Sequence, residues 1–181
     1  MSAILPPPER VWWKQPLDRV EGLWIGIALV WCLIMFFMMP YWHIYGQQNL
    51  SNEAYRAKPE DFVRKTEDMI AKYKVREDGG DLKVPVVRPP AGSDVYLVAQ
   101  LWRWYPILEL QAGQSYRIHL MSLDWLHGFS LQPENINIEV HPGYDHVLTV
   151  TPTAPGKFSI ICNEYCGINH HTMISPLYVV K

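Results

Sequence analysis

From Gly22 to Gly46 the chain reads GLWIGIALVWCLIMFFMMPYWHIYG, without a single Asp, Glu, Lys or Arg. At about 1.5 Å per helical residue such a run crosses a hydrocarbon layer of about 30 Å. Inside lipid only a helix or a closed barrel satisfies its own backbone groups, so one transmembrane helix is expected here. Trp24 near one end and Tyr41, Trp42 and Tyr45 near the other suit the two interfaces, and Pro40 is expected to kink or end the helix in its last turns. A cleaved signal peptide has a shorter apolar core, of about 7–15 residues, and a small-residue cleavage site after it, and the run fits neither. Cys32, inside the span, reads as a small buried hydrophobe.

Arg10, Lys14 and Arg19 precede the span, whereas Arg56 and Lys58 beyond it are mixed with Glu53 and Glu60. This bias predicts a cytoplasmic N-terminus in an inner or plasma membrane, with the larger C-terminal part on the periplasmic or outer side. The net charge is only −2. Residues 91–181 hold four basic against seven acidic side chains and are mildly acidic, which argues against a nucleic-acid partner and suits a basic protein partner.

The expected organisation is a cytoplasmic segment over 1–21, the membrane helix over 22–46, a charged connector with a short helix over 47–92 and one folded domain over 93–181. In the connector, PEDFVRKTEDMIAKYKV opens on Pro59 and spaces Phe62, Met69, Ile70 and Tyr73 as one face of a helix. That helix is expected against the membrane surface or a neighbouring subunit. After Asp94 come short β-branched and aromatic runs, VYLVAQLW, SYRIHLM, INIEV, HVLTV, KFSII and PLYVV, separated by Gly, Pro and Asn. They predict an all-β, antiparallel Greek-key sandwich or barrel of cupredoxin type, with its site in loops at one end.

The chemistry is concentrated in ICNEYCGINHHTMISP, which places Cys162, Glu164, Cys166, His170 and Met173 within twelve residues. Three cysteines are no disulfide framework, and the close pair reads as metal-ligating. Thiolate and thioether are soft ligands that select copper, whereas zinc makes little use of thioether. A mononuclear blue copper site uses one cysteine, while two cysteines in one loop can bridge two metal ions. Such a set needs a second imidazole from elsewhere. His127, at a boundary between two predicted strands and followed by Gly128, fits better than His119, His141, His146 or His171.

With these residues in view, the stretch from about Val95 onward resembles the copper-A domain of cytochrome c oxidase subunit 2, through DWLHGF, NINIEV, PGKFSIICNEYCGINHHTM and YVVK. It is most similar to the compact single-span, B-type branch. The resemblance implies a dinuclear copper centre bridged by Cys162 and Cys166, with His127 and His170 on one copper each. Met173 is then a weak ligand to one copper and the Glu164 carbonyl to the other. In some relatives the matching carboxylate also touches magnesium at the interface with the catalytic subunit.

The aromatic segment LWRWYP resembles the place where the donor's electron enters, with Trp102 first and Trp104 second in that role, and Arg103 set to pair with a haem propionate or a carboxylate. Glu21, just before the span, matches a glutamate at the entrance of the proton channel. The implied partners are a haem-copper catalytic subunit 1, which carries the haem and the second copper centre, and a donor that is cytochrome c or a small blue copper protein. The implied activity is electron uptake for reduction of oxygen to water. Two other readings keep the copper: a nitric oxide reductase subunit and a membrane-tethered copper carrier. A third is a structural membrane protein with a cysteine pair.

Overall fold

The computed structural model describes residues 16–45, 53–133 and 136–181, in two compact units, Met1–Gln48 and Asn49–Lys181. Arg10, Lys14 and Gly46 lie outside the described residues.

The first unit holds helix α1, Arg19–Tyr45, whose described residues are all solvent-facing within this chain. Among the described residues it is the one helix long and apolar enough to cross a membrane, with a mean hydropathy of 2.3. The helix does not end at Pro40 but continues to Tyr45. Its start is fixed by a reciprocal cap. The Asp18 carboxylate accepts from the amides of Val20 (2.7 Å) and Glu21 (2.8 Å), while the Glu21 carboxylate accepts from the Asp18 amide at 3.1 Å. Two amides that a helix N-terminus leaves without carbonyl partners are thereby satisfied, and the two carboxylates sit at the positive end of the helix dipole.

The second unit is a sandwich of two mixed sheets. One has five strands, in the order β1 (Glu53–Arg56), β10 (Tyr144–Val150), β7 (Tyr116–Ser122), β4 (Asp94–Gln100) and β5 (Arg103–Tyr105). The other has seven, in the order β2 (Lys74–Asp78), β3 (Val84–Val87), β6 (Ile107–Gln111), β12 (Ile174–Val180), β11 (Gly156–Cys162), β8 (His127–Gln132) and β9 (Ile136–Val140). Pairing is not purely antiparallel, as the sequence had suggested: β4 with β7, β6 with β12 and β3 with β6 run parallel. Alternation has the same period of two in both arrangements, so it carries no information on strand direction. Val95, Leu97 and Ala99 of β4 lie beside Ile118 and Leu120 of β7 in the same sheet and share one continuous core with Leu108 and Leu110 of β6 in the other.

The segment read as a connector is part of this fold. It contributes β1, β2 and β3, and its helix α2, Pro59–Tyr73, buries Phe62, Met69 and Ile70 on the sandwich. Phe62 of α2 is 2% exposed, beside Val98 and Met121, and meets the Tyr96 ring edge-on at 5.4 Å. Burying that side chain contributes about 2 kcal/mol relative to leaving it in water. The neighbouring sheet edge is tied by Glu109, 2% exposed on β6, whose carboxylate accepts from Arg88 Nε at 2.6 Å and pairs with Arg76.

Candidate metal centre

Strand register builds the site. Cys162 at the end of β11 pairs with Phe129 of β8, and the Asn163 amide then donates to the Gly128 carbonyl at 3.1 Å. This brings His127, the first residue of β8 and 0% exposed, beside the loop that leaves β11. The loop turns at Gly167, passes a 3-10 turn at His170–Thr172 and rejoins the sheet where the Cys162 amide donates to the Met173 carbonyl at 3.0 Å.

The resulting geometry is paired. The two Sγ atoms lie 3.7 Å apart and neither is in a disulfide. Cys162 Sγ faces His127 Nδ1 at 3.8 Å and the Glu164 carbonyl at 3.2 Å. Cys166 Sγ faces His170 Nδ1 at 3.7 Å and Met173 Sδ at 3.8 Å. A disulfide holds its sulfurs at about 2.05 Å, so these thiols are apart. Their separation fits atoms bound between them at thiolate–metal distances of about 2.3 Å. The donor atoms of His127, Cys162 and Cys166 all lie within 4.8 Å of one another.

The electrostatics are lopsided. Burial opposes ionisation of Cys162, but His127 and the backbone at Gly128 and Glu164 favour the thiolate, and its pKa falls to about 6. Burial and the adjacent Cys162 push Cys166 up to about 12. Two adjacent buried thiolates repel each other, so the second ionises with difficulty, and a cation held between them would relieve that repulsion. His127 is raised: burial disfavours its charge, but Cys162 and Asp124 favour it more.

Two glycines allow the close approach. A Cβ on Gly128 would lie 2.1 Å from Asn163 Oδ1 and 2.7 Å from the Glu164 amide nitrogen. Gly167 has φ +120°, and the Trp102 Nε1 atom sits 3.3 Å from where its Cβ would be.

Trp102 lines a pocket of about 370 Å3 with Leu101, Trp125, Tyr165, Cys166 and Gly167, so indole and solvent both approach a candidate ligand there. Trp104, in contrast, is 2% exposed in the core, its ring 6.3 Å from that of His127 and 5.6 Å from that of Phe129. Arg103 stacks over the Tyr105 ring at 5.3 Å. The other histidines belong elsewhere: His119 bonds Asp145, His141 and His146 pair across a turn, and His171 is exposed. Glu21 is in the other unit, as the helix cap described above.

Sequence reasoning did not single out Asp124. Its carboxylate accepts from His127 Nε2 at 2.7 Å, from the Trp125 amide at 2.7 Å and from the Leu101 amide at 2.7 Å. Burial raises its pKa, but these donors outweigh it and hold the carboxyl below its usual range. The one local signal was an acidic residue three positions before a candidate ligand histidine.

No protein-family model matches the chain. A cytochrome c oxidase subunit 2 from Thermus thermophilus is 35% identical over 109 residues, which cover 58% of this chain and 81% of that protein. A second, longer sequence of that name and species is also 35% identical over 109 residues, covering 58% of this chain and 65% of its own length. Among solved structures, a chain of a heme-copper terminal oxidase dimer is similar with a TM-score of 0.58 and 20% identity, over 90% of this chain and 100% of that one. The last likeness shows a shared fold.

Proposed function

Because this chain belongs to the cytochrome c oxidase subunit 2 family, we propose that its cupredoxin domain holds a dinuclear copper-A centre and hands electrons from a soluble donor to haem in a catalytic subunit. The observation that carries this reading is the paired geometry: two sulfurs 3.7 Å apart, each facing its own imidazole Nδ1. When bound, a thiolate-bridged copper pair supplies a one-electron carrier whose charge change is spread over two metals.

The chain's own residues do the rest. Cys162, Cys166, His127 and His170 would hold the copper pair, with Met173 beside Cys166 and the Glu164 carbonyl beside Cys162 as further donors. The Glu164 side chain lines a separate hollow of about 190 Å3 with Asn137, Glu139 and Asn163, from which a magnesium ion at the subunit interface would be held. The buried strand ends exclude water from His127, Cys162 and Met173, and a dry, rigid shell keeps reorganisation small. Trp102, on Gly167 beside Cys166, is where the electron enters, while buried Trp104 supports His127. The exposed Trp125, Tyr165 and Ile168 around that pocket suit a donor with an apolar face, either cytochrome c or a small blue copper protein. Helix α1 anchors the chain with its N-terminus cytoplasmic and the copper domain outside.

The test is copper loading of the reduced full chain in detergent, followed by its visible and electron spin resonance spectra. A stable purple species with one unpaired electron shared by two coppers is expected. Reversible binding of a single, colourless copper would instead make the chain a carrier. Assembly with its catalytic subunit and assay with oxygen and nitric oxide separates oxidase from reductase, oxygen consumption being the expected activity.

A further inference from the structure

Asp124 stands where two parts of the site meet. It lies in the turn between β7 and β8, and its side chain is 25% exposed. Its two oxygens do different work. Oδ1 accepts from His127 Nε2 and from the Trp125 amide, each at 2.7 Å. Oδ2 accepts from the Leu101 amide at 2.7 Å, immediately before Trp102. Ser122 Oγ closes the turn by bonding the Trp125 carbonyl, while it also receives the Asp124 amide at 3.2 Å.

An imidazole that donates from Nε2 to a carboxylate must carry its proton there when neutral, which leaves the Nδ1 lone pair free. Nδ1 is the atom that faces Cys162 Sγ. The same carboxylate fixes the backbone from which the Trp102 indole reaches Gly167. Among the described residues that indole has no hydrogen-bond partner for its buried Nε1, so packing and the Leu101 amide bond hold it in place.

We propose that Asp124 is a positioning residue with a double role: it selects the Nε2–H tautomer of His127 and, through the Leu101 amide, seats the Trp102 indole against Gly167. The electron's point of arrival and one metal-facing imidazole are thereby set by one side chain. The consequence for a bound metal rests on the copper reading above; the tautomer and the indole seat do not. A carboxylate on the far side of a ligand imidazole makes the ring a stronger donor and favours the oxidised metal, so the reduction potential is lower than it would be without that charge.

Nitrogen-15 NMR of the reduced, metal-free chain in mildly alkaline solution reads the tautomer directly. A protected Nε2–H on His127 and a slowly exchanging Leu101 amide are expected. An Nδ1–H tautomer in the wild type would overturn the proposal outright. Asp124→Asn then removes the charge and leaves one oxygen for donors that used two. It is expected to lose the protected His127 resonance, to shift the Trp102 indole resonance and, after copper loading, to raise the reduction potential while copper stays bound. A variant in which tautomer, indole and potential are all unchanged also overturns it. Should the variant fail to fold, the wild-type tautomer and the Leu101 exchange rate decide. Should the wild type form no copper pair, the functional reading fails, and the two NMR signals still decide the role of Asp124.

Discussion

Two buried polar clusters sit in one sandwich, and they are built on opposite principles. At Glu109 every strong acceptor is used: the carboxylate is held by Arg76 and Arg88, and nothing is left to bind a ligand. At the loop end, two thiols, a thioether, a carbonyl and two imidazole nitrogens converge at 3.2–3.8 Å, held to one another only by weak sulfur contacts that a metal ion could replace. A saturated buried charge is a strut. A convergent set of soft, unsaturated donors is a site, and the fold tolerates it because strand register and two glycines impose it.

That contrast breaks if a change at the site acts on stability alone. Gly128→Ala is the strongest probe, because the added methyl meets the Asn163–Glu164 backbone, not merely a flexible side chain. Overpacking of this kind costs about 3 kcal/mol when backbone has to move. The displaced segment carries the Glu164 carbonyl that faces Cys162. The expected result is a lower unfolding midpoint together with loss of the purple copper signal. A variant with normal stability and a normal spectrum would mean that the close approach of β8 to this loop is not what shapes the site.

How much of this could be read beforehand follows the same division. The six candidate ligands come together because five are local in one loop, and because the sixth begins a strand whose neighbour ends at Cys162. Six strands, β4, β7, β9, β10, β11 and β12, announced themselves as short β-branched and aromatic runs between Gly, Pro and Asn. Others were silent. Every residue of β1 is exposed, and β2 is exposed except for its half-buried last residue, so neither shows an apolar face. Glu109 interrupts the buried run of β6 with a charge, and only the distant Arg76 and Arg88 make sense of it. The residues before His127 look like an ordinary turn, and Asp124 gains meaning only when Leu101 is folded against it.

Glu109 sharpens the comparison from the other side. Glu109→Gln leaves Arg76 and Arg88 facing a neutral amide. Breaking a buried ion pair can cost 3–5 kcal/mol, but both guanidinium groups are partly exposed and can be rehydrated, so about 2 kcal/mol is expected. Burial raises this carboxyl's pKa, yet the two arginines outweigh it and hold it below the ordinary glutamate value. Its contribution to stability is therefore full above the ordinary carboxylate range and is lost as pH falls through the lowered folded value. Chemical denaturation should show the wild type losing this advantage in acid, with the variant's curve flatter there. The copper spectrum should be untouched; a spectral change would tie the strut to the site.

The smallest effect is expected at Glu21, which belongs to neither cluster. Its carboxylate closes the cap of α1 by accepting from the Asp18 amide, and a glutamine carbonyl can accept the same bond. Glu21→Gln should therefore cost only a few tenths of a kcal/mol, the loss of a charge at the helix's positive end. The assembled oxidase carrying the variant should keep its copper spectrum and, if the cap is the side chain's whole role, its turnover. Steady-state oxygen consumption and proton uptake check this. A marked fall in both, with the spectrum intact, would show that the carboxylate handles protons at the membrane boundary as well as ending a helix.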